Sequence, residues 1–260
     1  MQAELAGKTA IVTGGSRGIG RAICLELAGR GARVAVNFRR QSEAADGVVR
    51  AIADDGGSAL AVQADVSVRS EVTDMAARVA RELGGPDVLV NNAGLLCPGQ
   101  LLDYDEDEFD RMWRTNVKGV LYCSEAAAPH MIRRGWGRIV NLASNAAIGT
   151  AMPGTTLYAI TKGAVLTLTK RMAFELSPSG ITVNAVLPGF TKTDMVLSGK
   201  TPAEVERLLT DVAGRSLVGR TGDPEDIASV AGFLCSPASG FMTGQFLMAD
   251  GGRQDYLTHV

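Results

Sequence analysis

Short apolar runs alternate with amphipathic stretches along most of the chain. Thr9-Ala-Ile-Val-Thr13 is an apolar β run that stops at glycines, and Ile19 to Gly29 reads as a helix with Ile23 and Leu27 on one face. Arg33-Val-Ala-Val-Asn37 follows as a second strand, which completes a βαβ unit. The pattern continues with a helix over 43–55, a strand over 59–63, a helix over 69–83 and a strand over 88–90. It then predicts a helix over 106–132, broken near Asn116, and a strand over 138–142. A helix over 156–176, a strand over 181–186, a helix over 224–235 and a last strand near 244–248 close the chain. Strands that are apolar throughout, separated by amphipathic helices, predict a parallel sheet covered on both faces. The expectation is one doubly wound α/β domain of the Rossmann type over residues 1–260. Residues 191–221 break the alternation and read as an inserted loop with a short helix, a candidate lid.

Composition narrows this picture. Hydrophobic residues make up 46% and charged residues 21%, enough apolar material for a core and too much for wholesale disorder. Lys and Arg total 26 against 28 Asp and Glu, a net charge of −2 that gives no general attraction to nucleic acid or anionic membrane. The N-terminus lacks a signal-peptide layout and no stretch approaches a membrane span, so a cytoplasmic protein is expected. Cys24, Cys97, Cys123 and Cys235 are scattered, as expected of reduced thiols rather than disulfides or metal ligands. Only His130 and His259 are present, which argues against a multi-histidine metal centre or a Ser-His-Asp hydrolase, and no metal is expected. The 31 glycines are an excess that calls for local explanations.

The first explanation lies where the first strand turns into the first helix. In Gly14-Gly-Ser16-Arg17-Gly18-Ile19-Gly20 the glycines permit a sharp turn and close approach of a ligand. The free N–H groups at the helix start favour a pyrophosphate. A protein that selects NAD usually carries Asp or Glu near the end of the second strand. Here that place holds Phe38, followed by Arg39 and Arg40, and Arg17 lies in the glycine turn. These residues favour NADP(H), with NAD(H) the alternative. Asp65-Val66 follows the third strand, where Asp65 could accept from an adenine amino group or cap the next helix. Asn91-Asn92-Ala93-Gly94 follows the fourth strand, at the edge where open α/β sheets bind ligands.

A second constellation lies further on. Tyr158 and Lys162 are spaced i,i+4, which puts them one helical turn apart on one face. An ammonium near the phenol predicts a Tyr pKa below its ordinary value of about 10, and hence a workable acid and base. Ser144 ends the preceding strand, fourteen positions before Tyr158, and Asn116 is a polar residue inside the long earlier helix.

Taken together and in this order, these motifs resemble the short-chain dehydrogenase/reductases of the shorter, single-domain type. Asn184, Pro188-Gly189 with Thr191, and Asp250-Gly-Gly252 extend the resemblance over essentially the whole chain. The resemblance implies that Tyr158 gives a proton to a carbonyl oxygen or takes it from an alcohol, while Ser144 hydrogen-bonds that oxygen. It implies that Lys162 lowers the Tyr pKa and holds the nicotinamide ribose, and that Asn116 fixes a relay water. Pro188, Gly189 and Thr191 would contact the nicotinamide end. Many relatives have one residue fewer between Ser and Tyr, so the 145–156 loop is expected to be longer here.

The expected pocket wall is Leu95, Leu96, Asn145, Ala146, Met152, Leu187 and Met195, mostly apolar, with no Arg or Lys placed to bind a carboxylate. A neutral ketone or secondary alcohol with an apolar body follows. Relatives that reduce 3-oxoacyl groups on a carrier protein are a second reading. Arg133 and Arg134 could serve such a carrier, although Ser179 stands where these enzymes often have a basic residue. A non-catalytic NADP-binding regulator is the alternative of another class. The resemblance also implies pairing of the 106–132 and 156–176 helices into a homodimer or homotetramer. The tail from Arg253 to Val260 is expected either to cover a neighbouring subunit's pocket or to fray.

Overall fold

Seven strands form one all-parallel sheet in the order β3-β2-β1-β4-β5-β6-β7. They are β1 (Thr9–Val12), β2 (Arg33–Phe38), β3 (Ser58–Gln63), β4 (Val88–Asn91), β5 (Gly137–Leu142), β6 (Ile181–Pro188) and β7 (Phe246–Ala249). This computed structural model describes residues 3–256; His259 and the end of the C-terminal tail lie outside them. Every residue of β1, β4, β5 and β6 is buried, which is why these strands read as continuous apolar runs rather than alternating ones.

Helices cover both faces. Ile23 and Leu27 of α1 (Gly18–Gly29), Val48 of α2 (Ser42–Asp54) and Ile227 of α9 (Pro224–Cys235) pack over Val12, Val36, Val90 and Val140. On the other face, Val72 of α3 (Arg69–Leu83), Met131 of α5 (Gly119–Arg134) and Val165 of α6 (Thr156–Leu176) pack over Ile11, Leu89, Ile139 and Val183. The expected break near Asn116 is a five-residue π turn, Arg114–Lys118, between α4 (Glu106–Trp113) and α5. Such turns are frequent at functional sites.

The chain leaves β3 at one edge and returns beside β1, so the strand order reverses between β1 and β4. Open sheets bind ligands in the crevice above such a reversal, at the carboxyl ends of the strands. The 191–221 segment is more ordered than a loop with one short helix. It contains α7 (Asp194–Leu197) and the thirteen-residue α8 (Pro202–Gly214), opened by a Thr201–Glu204 capping box. Its base is closed by a bridge between Thr191 and Gly222. All four cysteines are buried and unpaired. Among the described residues no helix is long and apolar enough to cross a membrane.

Candidate active site

A cleft of about 510 Å³ runs along the carboxyl ends of the strands. It is lined by the glycine turn, the segments after β2, β3, β4, β5 and β6, the α6 face and the start of the lid. Every sequence-predicted site residue lines it except Asn116, which sits behind the wall, and Leu187. Leu187 is 1% exposed and belongs to the apolar core under α6, so it is not a pocket residue. Both faces of β6 are buried, so apolar character alone does not show which residues reach the edge.

The glycine turn is built for close approach. Gly14 and Gly18 have φ of 63° and 52°, conformations that L side chains rarely adopt. A Cβ on Gly20 would lie 2.2 Å from the Gly14 carbonyl oxygen. Asn92 locks the turn from β4: its Nδ2 donates to the Thr13 and Gly14 carbonyls at 2.8 and 3.1 Å. Thr13 Oγ1 accepts from the Asn92 and Ala93 amides at 3.0 Å each. Asn37, the one polar residue inside the apolar part of β2, accepts from the Gly14 amide at 3.2 Å and donates to the Val62 and Ala64 carbonyls. The sequence reading did not single it out, although a buried Asn among valines was the signal. No side chain caps α1 and no acid stands in its first turn, so its N-terminal amides remain to meet an anion. These residues fit a dinucleotide.

The arginines are less free than the sequence reading implies. Arg39 Nε pairs with Asp65 at 2.6 Å, and Arg17 pairs with Asp194 of α7 at 3.6 Å. Asp65 does not cap α3. Its other oxygen accepts from the Ser67 amide and hydroxyl at 2.9 and 2.7 Å. Arg40 lines the cleft beside them. Val66 is buried where a Cβ on Gly119 would strike it, at 2.9 Å.

At the other end, α6 presents Tyr158 and Lys162. Lys162 is 4% exposed; its Nζ donates to the Leu142 carbonyl at 2.7 Å and lies 5.7 Å from the Tyr158 ring centre. Burial pushes the Lys162 pKa down to about 8. Burial likewise pushes Tyr158 up to about 12, with the Ser144 hydroxyl acting in the opposite direction. Desolvation of the phenol runs against the expected depression, and the Lys162 ammonium donates to the Leu142 carbonyl. Ser144 still reaches Tyr158 although the intervening loop is longer. The loop folds as a short 3₁₀ turn, Asn145–Ile148, which Ser144 opens by accepting from the Ala146 amide at 3.1 Å.

Asn116 is fully buried, and its side chain is engaged by the Leu95 backbone and by Thr161. Its Oδ1 accepts from the Leu95 amide at 2.8 Å, and its Nδ2 donates to the Leu95 carbonyl and Thr161 Oγ1 at 2.9 and 3.0 Å. It therefore clamps the segment after β4 to α6. Beyond β6, Thr191 Oγ1 donates to the Gly189 carbonyl at 3.2 Å, and Gly189 packs against Asp250 too closely for a side chain.

The cleft-lining residues not foreseen from the sequence include Arg111, Thr193 and Arg253. Arg253 puts into the cleft a cation that the expected pocket wall lacks. The described part of the tail neither frays nor departs: Thr150 bridges Tyr256, and Ser216 bridges Arg253, so residues 250–256 strap this subunit's own cleft. Arg134, by contrast, pairs with Asp87 at 3.0 Å at the amino ends of the strands, opposite the Tyr158 edge. It therefore does not stand at the site mouth.

A glycine-turn cradle at one end of a cleft and a Ser–Tyr–Lys set at the other define a nicotinamide-dependent oxidoreductase. Residues 14–254 match the family model described as Enoyl-(Acyl carrier protein) reductase. The chain is 42% identical over 246 residues to the 3-oxoacyl-[acyl-carrier-protein] reductase FabG of Staphylococcus aureus, covering 94% of this chain and 97% of that protein. Among solved structures it is similar to a short-chain dehydrogenase/reductase from Serratia marcescens, with a TM-score of 0.89, 37% identity, and 96% and 98% of the two chains covered. It is also similar to a gluconate 5-dehydrogenase from Burkholderia cenocepacia in complex with NADP and tartrate, with a TM-score of 0.87, 34% identity and 96% of each chain covered. The chain belongs to the short-chain dehydrogenase/reductase family.

Proposed function

We propose that this protein is an NADPH-dependent ketone reductase that yields a secondary alcohol, with Tyr158 as proton donor. The observation that carries the reading is that Ser144 and Tyr158 line one cleft beside a buried Lys162, and that the same cleft contains the glycine turn. Bound nicotinamide would supply the hydride, held by the Gly14–Gly20 turn, Asn92 to Gly94, Lys162 and Pro188 to Thr191. Ser144 and Tyr158 hold the carbonyl oxygen, and Tyr158 releases its proton to that oxygen as negative charge develops. Lys162 keeps a positive charge close to the phenolate this leaves. Asn116 positions α6 against the segment after β4.

The choice of NADP(H) is supported by Phe38, Arg39 and Arg40 at the end of β2, where no carboxylate projects from the strand end itself, and by the NADP in the Burkholderia neighbour. Arg39 stays available to a 2′-phosphate because its side chain is 48% exposed and its partner Asp65 occupies one edge. kcat/KM is expected to be higher with NADPH than with NADH. Arg39→Glu is expected to cut the NADPH value about tenfold or more, as for one lost charge-assisted bond. A wild-type preference for NADH would overturn the cofactor assignment. The carrier-protein reading draws support from the Staphylococcus relative; the position of Arg134 does not add to it. A homodimer or homotetramer in the cytoplasm completes the reading, supported by the exposed Leu121, Ile160 and Phe174 on α5 and α6 and by four unpaired thiols.

The direction of the two pKa shifts sets the pH profile. Tyr158 stays protonated across the neutral range and serves as an acid without prior adjustment. Lys162 is charged below about pH 8 and neutral above it. Reduction is expected to hold level from pH 6 to 7 and to fall as pH rises through about 8, while alcohol oxidation climbs as Tyr158 deprotonates. Initial rates in both directions check this; a reduction rate that rises between pH 7 and 9 would contradict it.

A further inference from the structure

The substrate end of the cleft holds a guanidinium with an unused face. Arg253 lines the same cleft as Ser144, Met152 and Tyr158, and its side chain is only 6% exposed. Its Nε donates to Asp255 Oδ1 and its Nη2 to Asp255 Oδ2 at 2.7 Å. That edge-on grip uses two of the five N–H bonds of a guanidinium and leaves the end formed by Nη1 and Nη2. Nη1 makes no hydrogen bond to the protein among the described residues, and it is not among the sealed, unpartnered polar atoms. Arg253 lines the cleft, and Nη1 is its guanidinium nitrogen without a protein partner among the described residues.

The group is held in place on both sides. Gln254 donates its amide to the Arg215 carbonyl at 3.0 Å, and the Ala151 amide donates to the Asp255 carbonyl at 2.9 Å. Tyr256 anchors the strap through its hydroxyl on Asp250. A residue placed this firmly loses little entropy when it binds a ligand.

The nearby charges leave room for an anion. Asp255 is shared with Arg215, whose Nη1 stands 3.3 Å away, and Arg215 also pairs with Asp211 at 2.8 Å. Asp250 is engaged by the Tyr256 hydroxyl and the Gly252 amide. Arg111, the other cation on this side of the cleft, pairs with Glu108. Among the described residues the acids in the cleft lining are Asp65 and Asp194, which pair with Arg39 and Arg17. Asp255 thus divides its charge between Arg253 and Arg215.

We propose that the substrate is an oxo acid whose carboxylate docks end-on against Nη1 and Nη2 of Arg253 while its ketone oxygen meets Ser144 and Tyr158. This rests on the reading of Tyr158 as the proton donor of a ketone reductase. Apolar Leu96, Met152 and Met195 then face the carbon chain, so the substrate is a short alkyl oxo acid rather than a neutral ketone or a thioester.

The test pairs 2-, 4- and 5-oxohexanoate with their methyl esters in NADPH-dependent turnover, using wild type, Arg253→Met and Arg253→Lys. At least one acid is expected to exceed its ester in kcat/KM by about tenfold or more. That ratio is expected to collapse in Arg253→Met and to recover in part in Arg253→Lys, which keeps the charge without the fork. Calorimetry with hexanoate in the presence of NADP⁺ reads the same contact without chemistry. Binding is expected for wild type and loss of binding for Arg253→Met, with NADP⁺ affinity and unfolding temperature reporting the fold. Esters matching or exceeding every acid, or hexanoate binding equally to wild type and Arg253→Met, would overturn the proposal. Hexanoate binding that depends on Arg253 in a protein that reduces none of the ketones would uphold the anion site and overturn the reductase reading instead.

Discussion

Tyr158→Phe is expected to lower kcat for ketone reduction by about a thousandfold while NADPH still binds, within the ~10²–10⁴ range typical of a positioned general acid. Phenylalanine keeps the ring that packs with Leu157 beside Lys162 and removes only the hydroxyl. The nucleotide cradle lies on the β1–α1 turn and the β4 segment, so its affinity has no reason to change. Steady-state kinetics with a fluorescence titration of NADPH separates the two effects. Near-normal turnover would remove Tyr158 from the chemistry. Equal loss of binding and turnover would mean that the substitution disturbs the fold.

The second large effect lies at Gly20. Alanine there would put its Cβ 2.2 Å from the Gly14 carbonyl oxygen and 2.5 Å from Asn92 Nδ2, and no rotamer relieves the first of these, which is with backbone. Either the turn opens or α1 shifts, and both break the Asn92 bonds to Thr13 and Gly14. A loss of roughly 1–3 kcal/mol of stability is expected from overpacking alone, with NADPH affinity falling about tenfold or more as the helix amides move off the pyrophosphate site. Gly29→Ala, at the other end of the same helix, meets nothing within 4 Å and is expected to be neutral or slightly stabilising. Thermal unfolding and NADPH titration of the two variants check the contrast. Equal behaviour would mean that the turn is not held as tightly as its contacts imply.

Much of this architecture was legible because parallel strands buried on both faces read as unbroken apolar runs, and helices between them as amphipathic stretches. The glycine turn, Asn92 and the Tyr158–Lys162 pair were legible for a related reason: each motif lies within a few residues of its own strand end. What was hidden depends on contacts between distant segments. Arg253 reaches the cleft only because residues 250–256 fold back onto Ser216 and Thr150, pairings that no local pattern announces. Leu187 was misplaced because apolar character does not distinguish a strand residue under α6 from one at the edge. The rise in the Tyr158 pKa was missed because spacing reports the neighbouring lysine but not the depth of burial. Asn116 was recognised as odd, yet only the π turn shows that its amide clamps Leu95.

The central claim is that this cleft passes hydride to a ketone with Tyr158 supplying the proton. It is tested most directly by incubating wild-type protein with NADPH deuterated on the transferring position and a panel of ketones and oxo acids, then analysing the alcohol formed. The account predicts one deuterium on the carbinol carbon for each NADPH consumed, and no product from Tyr158→Phe over the same period. Saturable NADPH binding without consumption of any ketone, or an alcohol carrying solvent hydrogen at that carbon, would contradict it.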